Sequence, residues 1–276
     1  MQSKNPGSEK AFLASYCLED YARPSITTDV AVFSLQTQKG AQYRNDPQQS
    51  ISVLLIRRGE HPFKDAWALP GGFLRKGETL EACMLRELQE ETGLRPASMM
   101  RINTYSQPDR DPRGWIISQA YVGISTEAEA ELVATNDAAE AAWFHVSLEA
   151  GEDGTYCLTL RREEEVLRVS LEKETSHADG ERFRVLEGEG LAFDHGAMIA
   201  DAMALLKKNS EDIRTVFAFL PEKFTLSALQ KVQETLMGIS HLTPNFRRKM
   251  AAYVEETEEY TEGAGHRPAR LYRRKD

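Results

Sequence analysis

Apolar and polar residues alternate along residues 26–35, rich in Val, Thr and Ile, and this period of two predicts a β-strand. After a polar loop at 36–50, residues 51–58 carry a continuous apolar run, which predicts a buried strand. At 79–92 the period lengthens to that of a helix, with Gly93 placed to close it. Residues 100–105 and 115–124 predict two further strands on either side of the loop SQPDRDPRG. A short strand at 143–146 follows an acidic, Ala-rich stretch at 126–142. Residues 151–190 alternate in patches and predict an inserted hairpin or small sheet, and 191–208 an amphipathic helix. The first 22 residues read as a polar lead-in, partly helical around 12–18. Strands and helices in this order predict an α/β or α+β domain over 23–209, with the insertion at about 151–190.

A second unit is expected over 210–276, where the pattern changes around Pro221. Ser210 is placed to cap a helix that turns Ile213, Val216, Phe217 and Leu220 inward. Thr225 caps a second, with Leu226, Leu229, Val232 and Leu236 inward and Gly238 at its end. Thr243 and Pro244 open a third, whose buried stripe is Phe246, Met250, Tyr253 and Val254. Asn245, Arg248 and Lys249 share its exposed face, with Arg247 alongside, and 264–275 reads as a basic strand or wing. Three helices and a wing predict a winged helix-turn-helix, a geometry that reads DNA.

The densest chemistry lies in GFLRKGETLEACMLRELQEETGL, residues 72–94. Glu87, Glu90 and Glu91 stand at i, i+3 and i+4 on one side of the helix, and Glu87 and Glu91 share a sector with Leu80 and Met84. Carboxylates beside a buried face repel one another and resist burial unless a cation sits between them. Oxygen-only donors of high negative charge suit Mg²⁺ or Mn²⁺ rather than zinc. The competing reading is a solvated acidic face.

The string G-x5-E-x7-R-E-L-x-E-E-x-G-L, carried by Gly72, Glu78, Arg86, Glu87, Leu88, Glu90, Glu91, Gly93 and Leu94, resembles the Nudix box with no departure at a fixed position. The resemblance implies an α/β/α sandwich around a mixed sheet. It also implies an enzyme that hydrolyses nucleoside diphosphates linked to another group, with Mg²⁺ or Mn²⁺ as cofactor. By position, Glu87, Glu90 and Glu91 become metal ligands or the water-activating base, with the Gly71 carbonyl as an extra ligand. Arg86 would orient the glutamates and Glu78 would brace the loop. In some Nudix enzymes the base lies in a later loop, which keeps Glu127, Glu129, Asp137 and Glu140 as candidates.

The loop at 107–114 resembles that of the ADP-ribose pyrophosphatase branch and of Nudix-related transcriptional regulators. Arg110 and Arg113 could then grip phosphates as forks, and Asp109 or Asp111 could hold them or accept ribose hydroxyls. A salt-bridged turn is the alternative. Arg57, at the end of its strand, is a candidate for the pyrophosphate. His145 and His195 read as structural, and Trp67 and Trp143 as core. The second unit, through PEKFTLSALQKVQETLMG, NFRRK and GHRPARLY, resembles the C-terminal domain of the Nudix-related regulators of NAD metabolism. That likeness places Asn245, Arg247, Arg248 and Lys249 in the major groove and His266, Arg267 and Arg270 on the wing, and it implies a homodimer on operator DNA. Two readings stay open: an ADP-ribose-type hydrolase that also binds DNA, or a regulator whose Nudix domain senses such a metabolite.

Charge qualifies the DNA reading. Of the 276 residues, 34 are Lys or Arg and 43 Asp or Glu, for a net charge of −9. Residues 211–276 hold 11 basic and 10 acidic residues, and the remainder 23 and 33. The body is acidic and the second unit near neutral, with EETEEYTE at 255–262 between the third helix and the wing. Acid there would repel phosphate unless it faces away. No apolar run reaches the roughly 18 residues of a membrane span, and the start offers no secretory leader. Cys17, Cys83 and Cys157 have neither disulfide nor zinc spacing, as expected of isolated thiols in the cytoplasm.

Overall fold

The computed structural model describes residues 8–37, 49–126, 138–176, 180–261 and 268–275. The lead-in forms helix α1 (Glu9–Ser15), which buries none of its residues. A ten-stranded mixed sheet follows. Its strands are β1 (Ser25–Thr37), β2 (Gln49–Arg58), β3 (Trp67–Ala68), β4 (Gly71–Phe73), β5 (Ser98–Tyr105), β6 (Ile116–Ile124), β7 (Ala138–Ala150), β8 (Thr155–Arg162), β9 (Glu165–Ser176) and β10 (Gly180–Gly188). They lie in the order β10, β9, β8, β7, β2, β1, β6, β5, with β3 beside β2 and β4 beside β1. Strands β1 and β6 are parallel and the other pairs antiparallel.

Alternation along β1 and β2 feeds two layers. Val30, Val32 and Leu54 meet Met84 and Leu88 of helix α2 (Leu80–Thr92) on one face. Ala31, Phe33, Val53 and Leu55 belong to the core on the other, with Met198, Ile199 and Ala202 of helix α3 (His195–Lys208). The apolar run of β2 is continuous because helices cover both faces. Burying each such Leu or Met stabilises by roughly 1.5–3 kcal/mol. Helix α2 has the expected ends: the Thr79 side chain accepts from Ala82 N, and Gly93 closes it at φ +74°.

Residues 151–190 do not form a separate small sheet. Strands β8 to β10 continue from β7 by hairpins and lengthen the main sheet, and Leu158, Leu160, Val169, Leu171 and Phe183 join its core. Strand β7 accordingly extends well beyond 143–146. Helix α3 begins at His195 rather than 191. Residues 190–192 instead bond to Trp67 of β3, and Phe193 turns the chain at φ +53°.

The second unit contains α4 (Ile213–Phe217), β11 (Lys223–Phe224), α5 (Leu226–Met237), α6 (Thr243–Met250), β12 (Val254–Tyr260) and β13 (Arg270–Arg274). Asp212, not Ser210, caps α4; Ser210 is buried and donates to the Lys207 carbonyl. Thr225 and Gly238 bound α5 as its pattern predicts. Phe246, Met250 and Val254 are buried, but Tyr253 is exposed because α6 has already ended. The acidic run as far as Tyr260 forms β12, paired antiparallel with β13 in a three-stranded sheet with β11. One apolar cluster runs from the main sheet through Phe217, Leu229, Val232 and Phe246. Among the described residues, no helix is long and apolar enough to cross a membrane.

Candidate functional site

A cleft of about 720 Å³ opens where β4, α2, the 107–114 loop and the head of α3 meet. The three box glutamates line it, together with Gly71, Gly72, Asp29, Arg58, Arg110, Asp111, Arg113, Phe193 and His195. Strand β4 lies antiparallel to β1, which sets Gly71 opposite Asp29. Glu91 is buried, and its Oε2 accepts the Gly71 N–H at 2.9 Å. Burial, with Glu87 and Asp29 nearby, pushes the Glu91 carboxyl up to about 8.

Arg86 organises the rest of the box. It forks onto Glu78 at 2.7 and 3.0 Å, and its Nη1 reaches Glu87 at 2.5 Å and Glu90 at 3.3 Å. Glu78 also accepts from the Arg75 N–H, and the Arg86 bond holds its carboxyl down to about 2. Gly72 leaves room for this arrangement: a Cβ there would stand 2.5 Å from the Glu87 carboxylate. Gly72→Ala is therefore expected to displace Glu87 and lower any metal-dependent turnover about 10- to 100-fold. Unchanged turnover in the folded variant would contradict this role.

The donor set fits a hard divalent cation. Among the described residues no three His, Cys, Asp or Glu side chains already converge as a metal cage. Glu87 and Glu90 turn onto Arg86, and Glu91 onto Gly71. An ion that keeps its waters and takes one or two carboxylates with phosphate oxygens suits such an open set. The raised value of Glu91 marks a carboxylate that a nearby cation would return to its charged form.

Several cleft residues escaped the sequence reading. Asp29 is a buried carboxylate in β1 that accepts from the Ser118 hydroxyl, and burial pushes its carboxyl up. One acid inside an apolar strand was the available signal. His195 lies on the cleft rather than only in the core. Its Nδ1 accepts from the Leu69 N–H at 2.9 Å, its Nε2 is 3.6 Å from Asp29, and burial pushes it down to about 3. The ring is neutral and carries its proton on Nε2. Phe193 lies under the guanidinium groups of Arg58 and Arg113, at 5.0 and 5.5 Å from its centroid.

Other expectations shift. Arg57 is exposed, bonds the Asp65 carbonyl and does not line the cleft; its neighbour Arg58 does. Asp109 is also exposed and off the cleft, whereas Asp111 is buried and pairs with Arg113 at 2.6 Å. Arg110 pairs with Asp194. Glu140 pairs with Arg162 away from the cleft, and Glu127, Glu129 and Asp137 lie outside the described residues. His145 bonds the Ile51 carbonyl, and Trp67 is buried in the core.

In the second unit, Asn245, Arg247, Arg248 and Lys249 are all exposed on α6, and Arg248 reaches the Asn245 side chain at 3.3 Å. Arg270 is engaged within the wing by Glu256 and the Tyr260 hydroxyl. Glu255 pairs with Arg273, and Glu259 with Lys223. Three glutamates of the acidic run thus pair within their own sheet. His266 and Arg267 lie outside the described residues.

Residues 40–156 match the NUDIX domain model, and residues 216–274 the NrtR DNA-binding winged helix domain. Over 98% of its length the chain is 31% identical to the ADPR responsive transcriptional repressor NtrR of Acinetobacter baylyi, and it spans 89% of that protein. The chain belongs to the Nudix family, with an NrtR-type winged helix. It is also 47% identical, over 36% of its length, to an ADP-ribose pyrophosphatase of Methanocaldococcus jannaschii, spanning 58% of that protein. Its fold matches a solved MutT/nudix family protein from Enterococcus faecalis along the whole of both chains, with a TM-score of 0.71 and 30% identity. Strands β9 and β10 lie beyond the stretch that matches the Nudix model.

Proposed function

We propose that this protein is a DNA-binding regulator whose Nudix cleft binds ADP-ribose, or a close nucleoside diphosphate relative, and hydrolyses its pyrophosphate. The observation that carries the reading is end-to-end likeness to an ADPR responsive repressor. The exposed cationic face of α6 supports it. Hydrolysis is supported by a box whose glutamates, Arg86 and Gly72 are all present and interlocked.

In this reading Glu87, Glu90, Glu91 and the Gly71 carbonyl would hold Mg²⁺ or Mn²⁺. Such an ion neutralises phosphate charge and lowers the pKa of water. Arg58 and Arg113, set against one aromatic ring, offer two guanidinium forks to an anionic diphosphate. Glu91, buried beside the Gly71 N–H, would be the group to take the proton of the attacking water. On DNA the chain acts as a homodimer, each α6 entering the major groove of one half-site.

Two measurements test this. Fluorescence anisotropy on the chain's own upstream DNA should show salt-sensitive binding that saturating ADP-ribose shifts by about fivefold or more. A panel of nucleotides with Mg²⁺ or Mn²⁺ should show AMP release from ADP-ribose. Absence of salt-sensitive binding across a genomic fragment library would remove the regulator, and absence of turnover on the panel would remove the enzyme.

A further inference from the structure

We propose that Asp194 is a positioning residue: it holds Arg110 with one amino group left for the ligand, and it links the cleft to the helix that leads into the winged-helix unit. The proposal rests on the reading that the cleft takes a nucleoside diphosphate and α6 takes DNA.

Arg110 lines the cleft, yet its side chain is only 4% exposed. A buried cation must be paired. Asp194 supplies the pair in a fork, with Nε at 2.9 Å and Nη2 at 2.7 Å. That fixes the plane of the guanidinium and occupies one edge of it. Nη1 donates to no acceptor among the described residues. A buried donor in this state favours an incoming anionic oxygen, and a phosphate of the diphosphate has the matching charge and geometry.

Asp194 also occupies the cap position of α3, where an acid ordinarily accepts a backbone N–H of the first turn. Its side chain makes no such bond and serves Arg110 instead. Its carbonyl accepts from Ala197 and Met198, so the residue moves with the head of the helix. At the far end of α3, Ser210 bonds Lys207, and the Gln233 side chain of α5 donates to the Ser210 carbonyl. Helix α4 starts only three residues on, at Ile213. A phosphate on Arg110 and the carboxylate of Asp194 share one guanidinium, so occupancy of the cleft changes the hold on the head of α3. Linkage makes the effect reciprocal: DNA on α6 changes the ligand affinity by the same factor.

The experiment uses full-length wild type and Asp194→Asn. Calorimetry gives the Kd for ADP-ribose, and anisotropy gives the Kd for the upstream DNA with and without saturating ADP-ribose. Asp194→Asn is expected to bind ADP-ribose about tenfold more weakly and, without ligand, to bind DNA with a Kd moved toward that of ADP-ribose-saturated wild type. Its ratio of the two DNA Kd values should fall toward one, and Asp194→Glu should restore part of that ratio. Should Asp194→Asn fail to fold, Asp194→Ser, which supplies a capping hydroxyl, carries the same readouts. A variant with the wild-type ratio and the wild-type ADP-ribose affinity overturns the proposal. A wild type that binds ADP-ribose without any change in DNA affinity overturns the regulator reading and the link, and the ADP-ribose Kd of the variant then decides the positioning role. A wild type that does not bind ADP-ribose overturns both.

Discussion

Glu91→Gln is expected to lower metal-dependent release of AMP from ADP-ribose by about 100- to 10,000-fold while the protein stays folded. The amide oxygen of Gln can still accept the Gly71 N–H, so the loop keeps its anchor. What disappears is the charge that would face the cation and the basicity that would take a proton. The same change has a signature in stability. With its carboxyl at about 8 in the folded state and an ordinary value of 4.5, Glu91 holds a proton that the unfolded chain gives up. Its contribution is full below about pH 4.5 and is lost as pH rises through about 8. In a chelator, urea melts at about pH 5 and about pH 8 should show wild type losing roughly 2–4 kcal/mol more than the variant between them. Equal pH slopes would contradict the burial of Glu91, and undiminished turnover its place in the chemistry.

Arg248→Ala is expected to weaken binding to the upstream DNA by about 5- to 100-fold, at unchanged thermal stability. Phe246 and Met250 hold α6 in place from the buried side, so removing an exposed guanidinium leaves the helix standing. The contact with Asn245 sets the two side chains side by side one turn apart. Anisotropy at several salt concentrations separates two modes. A phosphate contact lowers the salt slope by about one and weakens all sequences alike, whereas a base contact relaxes preference at one position. Wild-type affinity in the variant would remove α6 from the interface.

What could be read from the sequence was mostly local. Thr79, the helical period and Gly93 specify α2 within 15 residues, and the box glutamates follow from helix geometry alone. The covered faces of β2 followed from its unbroken apolar run. Longer-range pairing was not legible. Nothing in 151–190 states that its hairpins extend the existing sheet rather than start another, because edge pairing depends on partners far away in sequence. Which of Arg57 and Arg58 faces the cleft depends on register, and a slip of one residue exchanges them. The partners of 255–262 likewise depended on a cross-strand register that composition does not contain.

The wing's internal ion pairs bear on how the protein would find its site in a cell. Arg270 and Arg273 on β13 and Lys223 on β11 arrive already matched by Glu256, Glu255 and Glu259. Each such pair is a cation that displaces no counterion from a random duplex. On the proposed reading, the wing then adds little to the hold on unrelated sequence, and α6 carries most of the attraction to DNA. A genome is a vast excess of competing sites. On that reading, the acid in the wing would limit sequestration by that excess and leave free molecules for a single operator.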